Sequence, residues 1–319
     1  MSKHQQVLLT GATGHVGGRL FRHLATQAGI SIRALVRSPR LLPEWSQHSE
    51  VLEGDLSQSV TRRQALSGID TVVHLATHGF SAANGPAQAD LDNEQRIASA
   101  LASEAVSAGV SRFIFVSSIH VYGASLTGVV DESTAAMPTS AYGASRLEIE
   151  NELLEVASNT SMQSLVLRLT NSFGSPALMR PDTWSLLIHD LCKQVVETSR
   201  ISLRSDARTC RDMIALRDVV SVMSELITTN RINTGVVLLA TGRSMQIGEI
   251  AGLVQTLARE VVGIDAPIEQ GANLDIVPPM FTLEPRKLRA AGVVISDSRD
   301  AEIRDLLLLA QQEFGNTNS

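Results

Sequence analysis

The chain reads as an α/β protein, a doubly wound parallel sheet with a smaller C-terminal lobe, and three observations carry that expectation. Short apolar strand patterns alternate with helical periodicity through the first half, which implies βαβ units whose sheet is covered on both faces. The first strand runs into a glycine-spaced turn that opens straight into a helix. The length of 319 residues exceeds what one hydrophobic core usually organises, about 250 to 300 residues, so a second lobe is expected.

In order along the chain, residues 7–10 form the first strand, and residues 6–18 read QVLLTGATGHVGG. Gly11, Gly14 and Gly17 are spaced G-x-x-G-x-x-G. A tight turn needs a residue that tolerates positive φ, the backbone must come close to a pyrophosphate, and the helix must lie close to the strand. The helix expected over 15–27 would aim its free N–H groups and positive dipole end at those phosphates. This is a Rossmann-type dinucleotide site. Further strands are expected at 32–36, 50–52, 71–75 and 113–117, with a long helix over 88–108. Helix 142–157 leads to strand 164–169; helix 218–228, strand 236–240 and helix 246–259 are expected to rejoin the main sheet. The expected division is therefore a nucleotide-binding domain over 1–170 and 218–260. The substrate-binding lobe is expected from 171–217 and 261–319, the prolines and unpaired polar residues being concentrated in these later segments.

A net charge of −6 with no basic block argues against a nucleic-acid partner. No apolar run approaches 18 residues and no signal pattern is visible, so no membrane association and a cytoplasmic location are expected. Cys192 and Cys210 lack metal-ligand spacing, so neither a metal nor a disulfide framework is expected.

The cofactor is read at the end of the second strand, where an acidic side chain would bond the ribose hydroxyls and repel a 2′-phosphate. Here the sequence is IRALVRS: Val36 occupies the acidic position, Arg37 follows, and Arg40 is close. A guanidinium there suits a 2′-phosphate, so NADP is expected, with NAD as the alternative. A solvated loop cation is the other reading of Arg37. Asp55, in EGDL, is placed either to accept from an adenine amino group or simply to make a turn.

Two segments carry chemistry. Residues 115–123, FVSSIHVYG, end a strand with hydroxyls, and 141–146, AYGASR, open a helix on which Tyr142 and Arg146 share a face. With Val72-Val73-His74-Leu75-Ala76, Asn93, Asp131-Glu132-Ser133, Pro138, Leu167 to Asn171, Arg211-Asp212-Met213-Ile214, Asp218-Val219 and the closing segment 283–292, these resemble the extended short-chain dehydrogenase/reductase family. The likeness is greatest to its nucleotide-sugar epimerases, dehydratases and 4-keto-reductases.

That resemblance implies Tyr142 as acid/base and Ser118, rather than Ser117, as the hydroxyl that orients the substrate oxygen. It places Arg146 where the family has a lysine. A tyrosine acting as base near neutral pH needs its pKa lowered by about 2 to 3 units through nearby positive charge. Arg146 keeps the charge but cannot relay a proton. Cofactor contacts are expected from Gly11, Thr13, Gly14, His15, Val16, Gly17, Arg37, Asp55, Leu56, Leu75, Ala76, Thr77, Tyr142 and Arg146. Substrate contacts are expected from Ser118, Asn171 and Arg211, with Arg180 and Arg204 as further candidates. For Arg211 an ion pair with Asp212 or Asp218 is the competing reading. His15 reads as a solvated turn residue, His120 as lining the site, and 77–88 as either a flap or a surface loop.

The implied activity is an NAD(P)-dependent oxidoreductase or epimerase acting on a nucleotide-activated sugar by hydride transfer at a ring carbon. The alternatives are an NADP-dependent reductase of another carbonyl substrate and a cofactor-binding sensor or interaction protein weakened in catalysis by Arg146. A homodimer is implied through the tyrosine helix and the long helix before it. Leu147, Ile149, Leu153 and Leu154 could serve either that interface or the core.

Overall fold

In the computed structural model, described over residues 4–39, 42–77, 86–180, 182–270, 275 and 277–315, seven parallel strands form the main sheet. They are β1 (Gln5–Thr10), β2 (Ile30–Val36), β3 (Glu50–Glu53), β4 (Thr71–His74), β5 (Arg112–Ser118), β6 (Gln163–Leu169) and β7 (Gly235–Leu239). Their order is β7-β6-β5-β4-β1-β2-β3. The direction of winding reverses between β1 and β4, and a crevice opens beyond the carboxyl ends of strands at such a switch point.

The central strands read as near-continuous apolar runs because helices cover both faces. On one face Leu9, Ile114, Leu167 and Val237 meet α1 (His15–Leu24) and α6 (Leu216–Thr228). On the other, Leu8, Val72, Phe113 and Val166 meet α2 (Ser59–Leu66), α3 (Gln88–Ser107) and α4 (Ala141–Asn159). Ile149 and Leu153 of α4 are consumed by this core, while Leu147 and Leu154 are partly buried against it and its neighbour.

A second core joins α5 (Leu187–Thr198), α7 (Ile247–Val261) and α9 (Arg299–Phe314) through Leu191, Val195, Val254, Leu257, Leu306 and Leu307. Here the structure corrects the sequence reading. Helix 246–259, expected to return to the main sheet, packs on α5 and α9 instead. Conversely, α8 (Arg286–Ala290) lies on β7, and Leu288 and Val293 enter the main-sheet core. An amphipathic stripe states that a helix is buried on one side but not which core receives it.

Short strands connect the two cores: Asn171–Phe173, Cys210–Ala215 and Ser244–Gln246 form one small sheet, and Gly128–Val130 pairs with Phe281–Leu283. The Asp131 carboxylate accepts from Ser133 and pairs with Arg286 at 2.7 Å, and Glu132 accepts from the Leu238 and Lys287 N–H groups. These two carboxylates fasten the loop after Val130. Among the described residues no helix is long and apolar enough to cross a membrane, and no His, Cys, Asp and Glu cluster could hold a metal.

Candidate active site

The turn after β1 is built without room to spare. Gly11 has φ of +74°, and a Cβ there would sit 2.6 Å from the Leu75 carbonyl carbon. A Cβ on Gly17 would lie 2.1 Å from the Gly11 carbonyl oxygen, so α1 rests directly against the turn. The α1 N-cap, Gly14, makes no side-chain cap hydrogen bond, and the first turn holds no acidic residue. Its backbone N–H groups and dipole are therefore available to an anion. Replacing Gly17 with alanine is expected to cost about 1 to 3 kcal/mol of stability, or more if the turn cannot shift. It should also weaken dinucleotide binding at least about tenfold, about 1.4 kcal/mol. Thermal melts with and without NADPH check both.

A cleft of about 1200 Å³ starts at this turn. Its wall takes Gly11, Thr13, Gly14, His15 and Val16 from the turn and Val36 and Arg37 from the end of β2. It continues through Asp55 and Leu56 after β3, Leu75, Ala76 and Thr77 after β4, and Asn93 and Glu94 from α3, and reaches Asn171, Arg180 and Arg211 in the second lobe. Gly17 is buried beneath the turn. Asp55 makes the turn, its Oδ1 accepting from the Ser57 N–H at 2.8 Å while the residue still lines the cleft. Arg40 and residues 78–85 of the expected flap lie outside the described residues.

Glu94 lines the cleft and pairs with Arg146, whereas Ser118, Tyr142 and Arg146 are not among the lining residues. The α4 N-terminus is fixed by Ser140 Oγ, which accepts from the Gly143 N–H at 3.1 Å. Tyr142, on the first turn, hydrogen bonds with Ser118. Ser118 also accepts from the His120 N–H and caps the short 3-10 turn Ile119–Tyr122. Ser117 points elsewhere: its hydroxyl donates to Glu150, which in turn pairs with Arg168 at 2.7 Å. The His120 ring meets Tyr142 edge-on at 5.9 Å.

Arg146 is 1% exposed and ion-pairs with Glu94, itself 5% exposed. Its guanidinium carbon lies 5.1 Å from the Tyr142 ring centroid and 5.7 Å from that of Phe115. Burial lowers its pKa to about 10, with the Glu150 carboxylate pulling upward, so it remains a cation at neutral pH. In the protein alone the Tyr142 phenol is shifted upward. Burial pushes the phenol above its ordinary value, and the hydrogen bond with Ser118 offsets only part of that. The cation meant to supply the depression is already engaged by a carboxylate.

In the second lobe the competing reading of Arg211 fails. Asp212 accepts from Thr241, Gly242 and Arg243, and Asp218 accepts from Ser298. Arg211 instead donates to the Cys210 carbonyl at 2.8 Å and lines the cleft. Asn171 Nδ2 donates to the Asp212 carbonyl at 3.1 Å. Arg180 and Arg204 have carboxylate neighbours, Asp182 and Asp190 respectively. His15 is not solvated: its ring nitrogens are buried, its ring sits 5.2 Å from that of His189, and burial lowers its pKa to about 4.

The residues present fit a nicotinamide dinucleotide. Gly11 and Gly17 leave no room for a Cβ, the N-terminus of α1 is uncapped, and the buried Arg146 Nε has no hydrogen-bond partner among the described residues. A profile of the NAD dependent epimerase/dehydratase family matches residues 7–240. The chain belongs to that family. It is 26% identical over 273 residues to the UDP-glucose 4-epimerase of Vibrio cholerae, covering 83% of this chain and 78% of the relative. It is 27% identical over 272 residues to the 2'-dehydrokanamycin reductase of Streptomyces kanamyceticus, covering 84% and 71%. The fold of the UDP-glucuronic acid 4-epimerase from Bacillus cereus, solved with UDP-glucuronic acid and NAD, superposes with a TM-score of 0.80 at 20% identity, over 97% of this chain and 100% of that one.

Within this family member the residue that sequence reasoning missed is Glu94. It falls in register with the buried stripe Leu91, Ala98 and Leu101 of α3. A carboxylate inside an apolar helix face demands a partner, and that was the available signal.

Proposed function

We propose that the protein transfers hydride between a nicotinamide cofactor, NADP by preference, and a ring carbon of a nucleotide-activated sugar in the cytoplasm. The observation that carries this reading is the cleft running from the uncapped N-terminus of α1 to Asn171 and Arg211, lined also by Glu94, whose partner Arg146 lies over the Tyr142 ring. One end suits a dinucleotide pyrophosphate. The other offers Arg211, which has no carboxylate partner among the described residues, to a second diphosphate.

In this reading the bound cofactor supplies or accepts hydride. Ser118 holds the substrate oxygen, and Tyr142 exchanges its proton with that oxygen. Arg146 is buried and Tyr142 half-buried, which limits the access of water to the same hydrogen bonds. The lean toward NADP rests on Arg37, which lies at the cleft edge beyond Val36 and makes no side-chain bond among the described residues. A homodimer through α3 and α4 belongs to the reading on family likeness alone, since Ile149 and Leu153 face the core; sedimentation velocity reads it directly.

Calorimetric titration with NADPH and NADH, repeated with UDP-, dTDP- and GDP-sugars, tests the whole reading. NADPH should bind more tightly, and one nucleotide-sugar should strengthen it. Arg37→Ser should weaken NADPH about tenfold to a hundredfold, the worth of a charge-assisted hydrogen bond, and leave NADH unchanged. Failure to bind either cofactor would refute the reading. A second reading, a reductase of a different carbonyl substrate, draws support from the likeness to the 2'-dehydrokanamycin reductase, and indifference to every nucleotide-sugar would favour it.

A further inference from the structure

The pairing of Glu94 with Arg146 bears on the direction in which the site works. Both groups are almost fully buried, and Glu94 reaches Arg146 from the facing helix α3 rather than from α4. Other charged or titratable groups approach the same spot. His74 on β4 is buried and neutral, its Nδ1 2.8 Å from Thr10 Oγ1. Glu150, one turn along α4, is occupied by Ser117 and Arg168. His120 and Arg211 lie near the mouth. Glu94 is therefore the carboxylate that meets the Arg146 guanidinium directly.

We propose that Glu94 takes up the charge of Arg146, so that in the cofactor-free protein Tyr142 rests as a phenol, the form that gives a proton to a substrate carbonyl oxygen. This rests on the hydride-transfer reading above. A lone cation beside Tyr142 would hold it as phenolate, the form that must take a proton from a ring hydroxyl to begin oxidation. A neutralised cation leaves the phenol, which suits the reverse step. There the carbonyl carbon gains hydride from a reduced nicotinamide dinucleotide, which leaves oxidised. The carbon–oxygen π pair takes the Tyr142 proton to complete the alcohol, and water reprotonates the phenolate left behind. The upward push of burial on the Tyr142 pKa acts in the same sense. Glu94 is a positioning residue in this scheme, acting through Arg146.

The chain contains only two tyrosines, so phenolate absorbance can isolate one. Tyr122, whose hydroxyl donates to the Asp131 carbonyl away from the cleft, is replaced by phenylalanine, and Tyr142 is titrated in the cofactor-free protein by rapid pH jumps that outrun alkaline unfolding. In this Tyr122→Phe parent, Tyr142 should ionise above pH 10, the ordinary tyrosine value. Adding Glu94→Gln should lower that midpoint by about one unit or more as the Arg146 charge is released. A parent midpoint near neutrality overturns the proposal, as does a folded Glu94→Gln variant with no shift. If Glu94→Gln does not fold, Glu94→Gln with Arg146→Met removes both charges. That pair should leave the midpoint within about half a unit of the parent, and a rise beyond about one unit overturns the proposal. No cofactor or substrate takes part, so this test can fail while the hydride-transfer reading stands, and loss of NADPH binding leaves its result intact.

Discussion

Stability is expected to fall by about 3 kcal/mol for each pH unit of acidification below 6.5, because two histidines are folded into places that admit no proton. His74 is 2% exposed between β1 and β5, where burial and then the nearby Arg146 charge lower its pKa from 6.5 to about 3. His189 is fully buried, and burial followed by His15 lowers it equally far. Geometry agrees for His189: its Nε2 accepts from the Gly174 N–H at 3.1 Å, which a protonated ring nitrogen cannot do. Below pH 6.5 the unfolded chain binds a proton at each ring while the folded chain does not. This contribution is therefore fully present above 6.5 and is lost as the pH falls from there toward about 3. At pH 5 the two together should cost about 4 kcal/mol, a large share of a typical domain's stability. His15 acts in the same direction. Asp212 acts in the opposite one, since burial raises its pKa and a raised carboxyl gains stability on acidification, and it offsets part of what His15 adds. Urea unfolding at pH 8, 6.5 and 5 measures it. His189→Gln keeps an acceptor for Gly174 and removes one titration, so it should make the slope shallower by about 1.4 kcal/mol per pH unit. Equal stability at pH 7 and pH 5 would refute the account.

The parts of the fold legible in the sequence were those fixed by local rules. β1 and β4 announced themselves as apolar runs, β2 as such a run broken by the half-buried Arg33, and the Gly11 turn because Gly11 and Gly17 stand where no Cβ fits. Observed and expected boundaries differ by only a few residues there; the first helix, for example, stops at Leu24 rather than 27. What the sequence hid was partnership at long range. The stripe of α7 is as regular as that of α6, yet one faces the lobe and the other the sheet. Arg211 was set against two neighbouring aspartates, but in an extended strand adjacent side chains point to opposite faces, so proximity in sequence misleads. Glu94 and Arg146 are brought together only by the packing of α3 on α4. The expectation of a tyrosine lowered by a free cation followed from reading Arg146 alone. In the protein alone it is desolvation that pushes the phenol up, and Glu94 engages the cation that was expected to oppose it.

Tyr142→Phe is expected to lower kcat/KM about a hundredfold to ten-thousandfold, the usual worth of a positioned general acid, and to leave cofactor affinity within about a factor of three. Phenylalanine preserves the ring that Arg146 and His120 lie against and removes only the hydroxyl. The packing should therefore survive, and stability should fall by only about 1 kcal/mol, the net worth of the hydrogen bond with Ser118 that the substitution removes. A loss confined to kcat would place the hydroxyl in the proton transfer rather than in binding. Ser118→Ala should lower turnover less, since it removes the group that holds the substrate oxygen while the proton donor remains. If Tyr142→Phe keeps more than about a tenth of the parent activity, another group carries the proton, and the buried position of the phenol becomes a matter of packing alone.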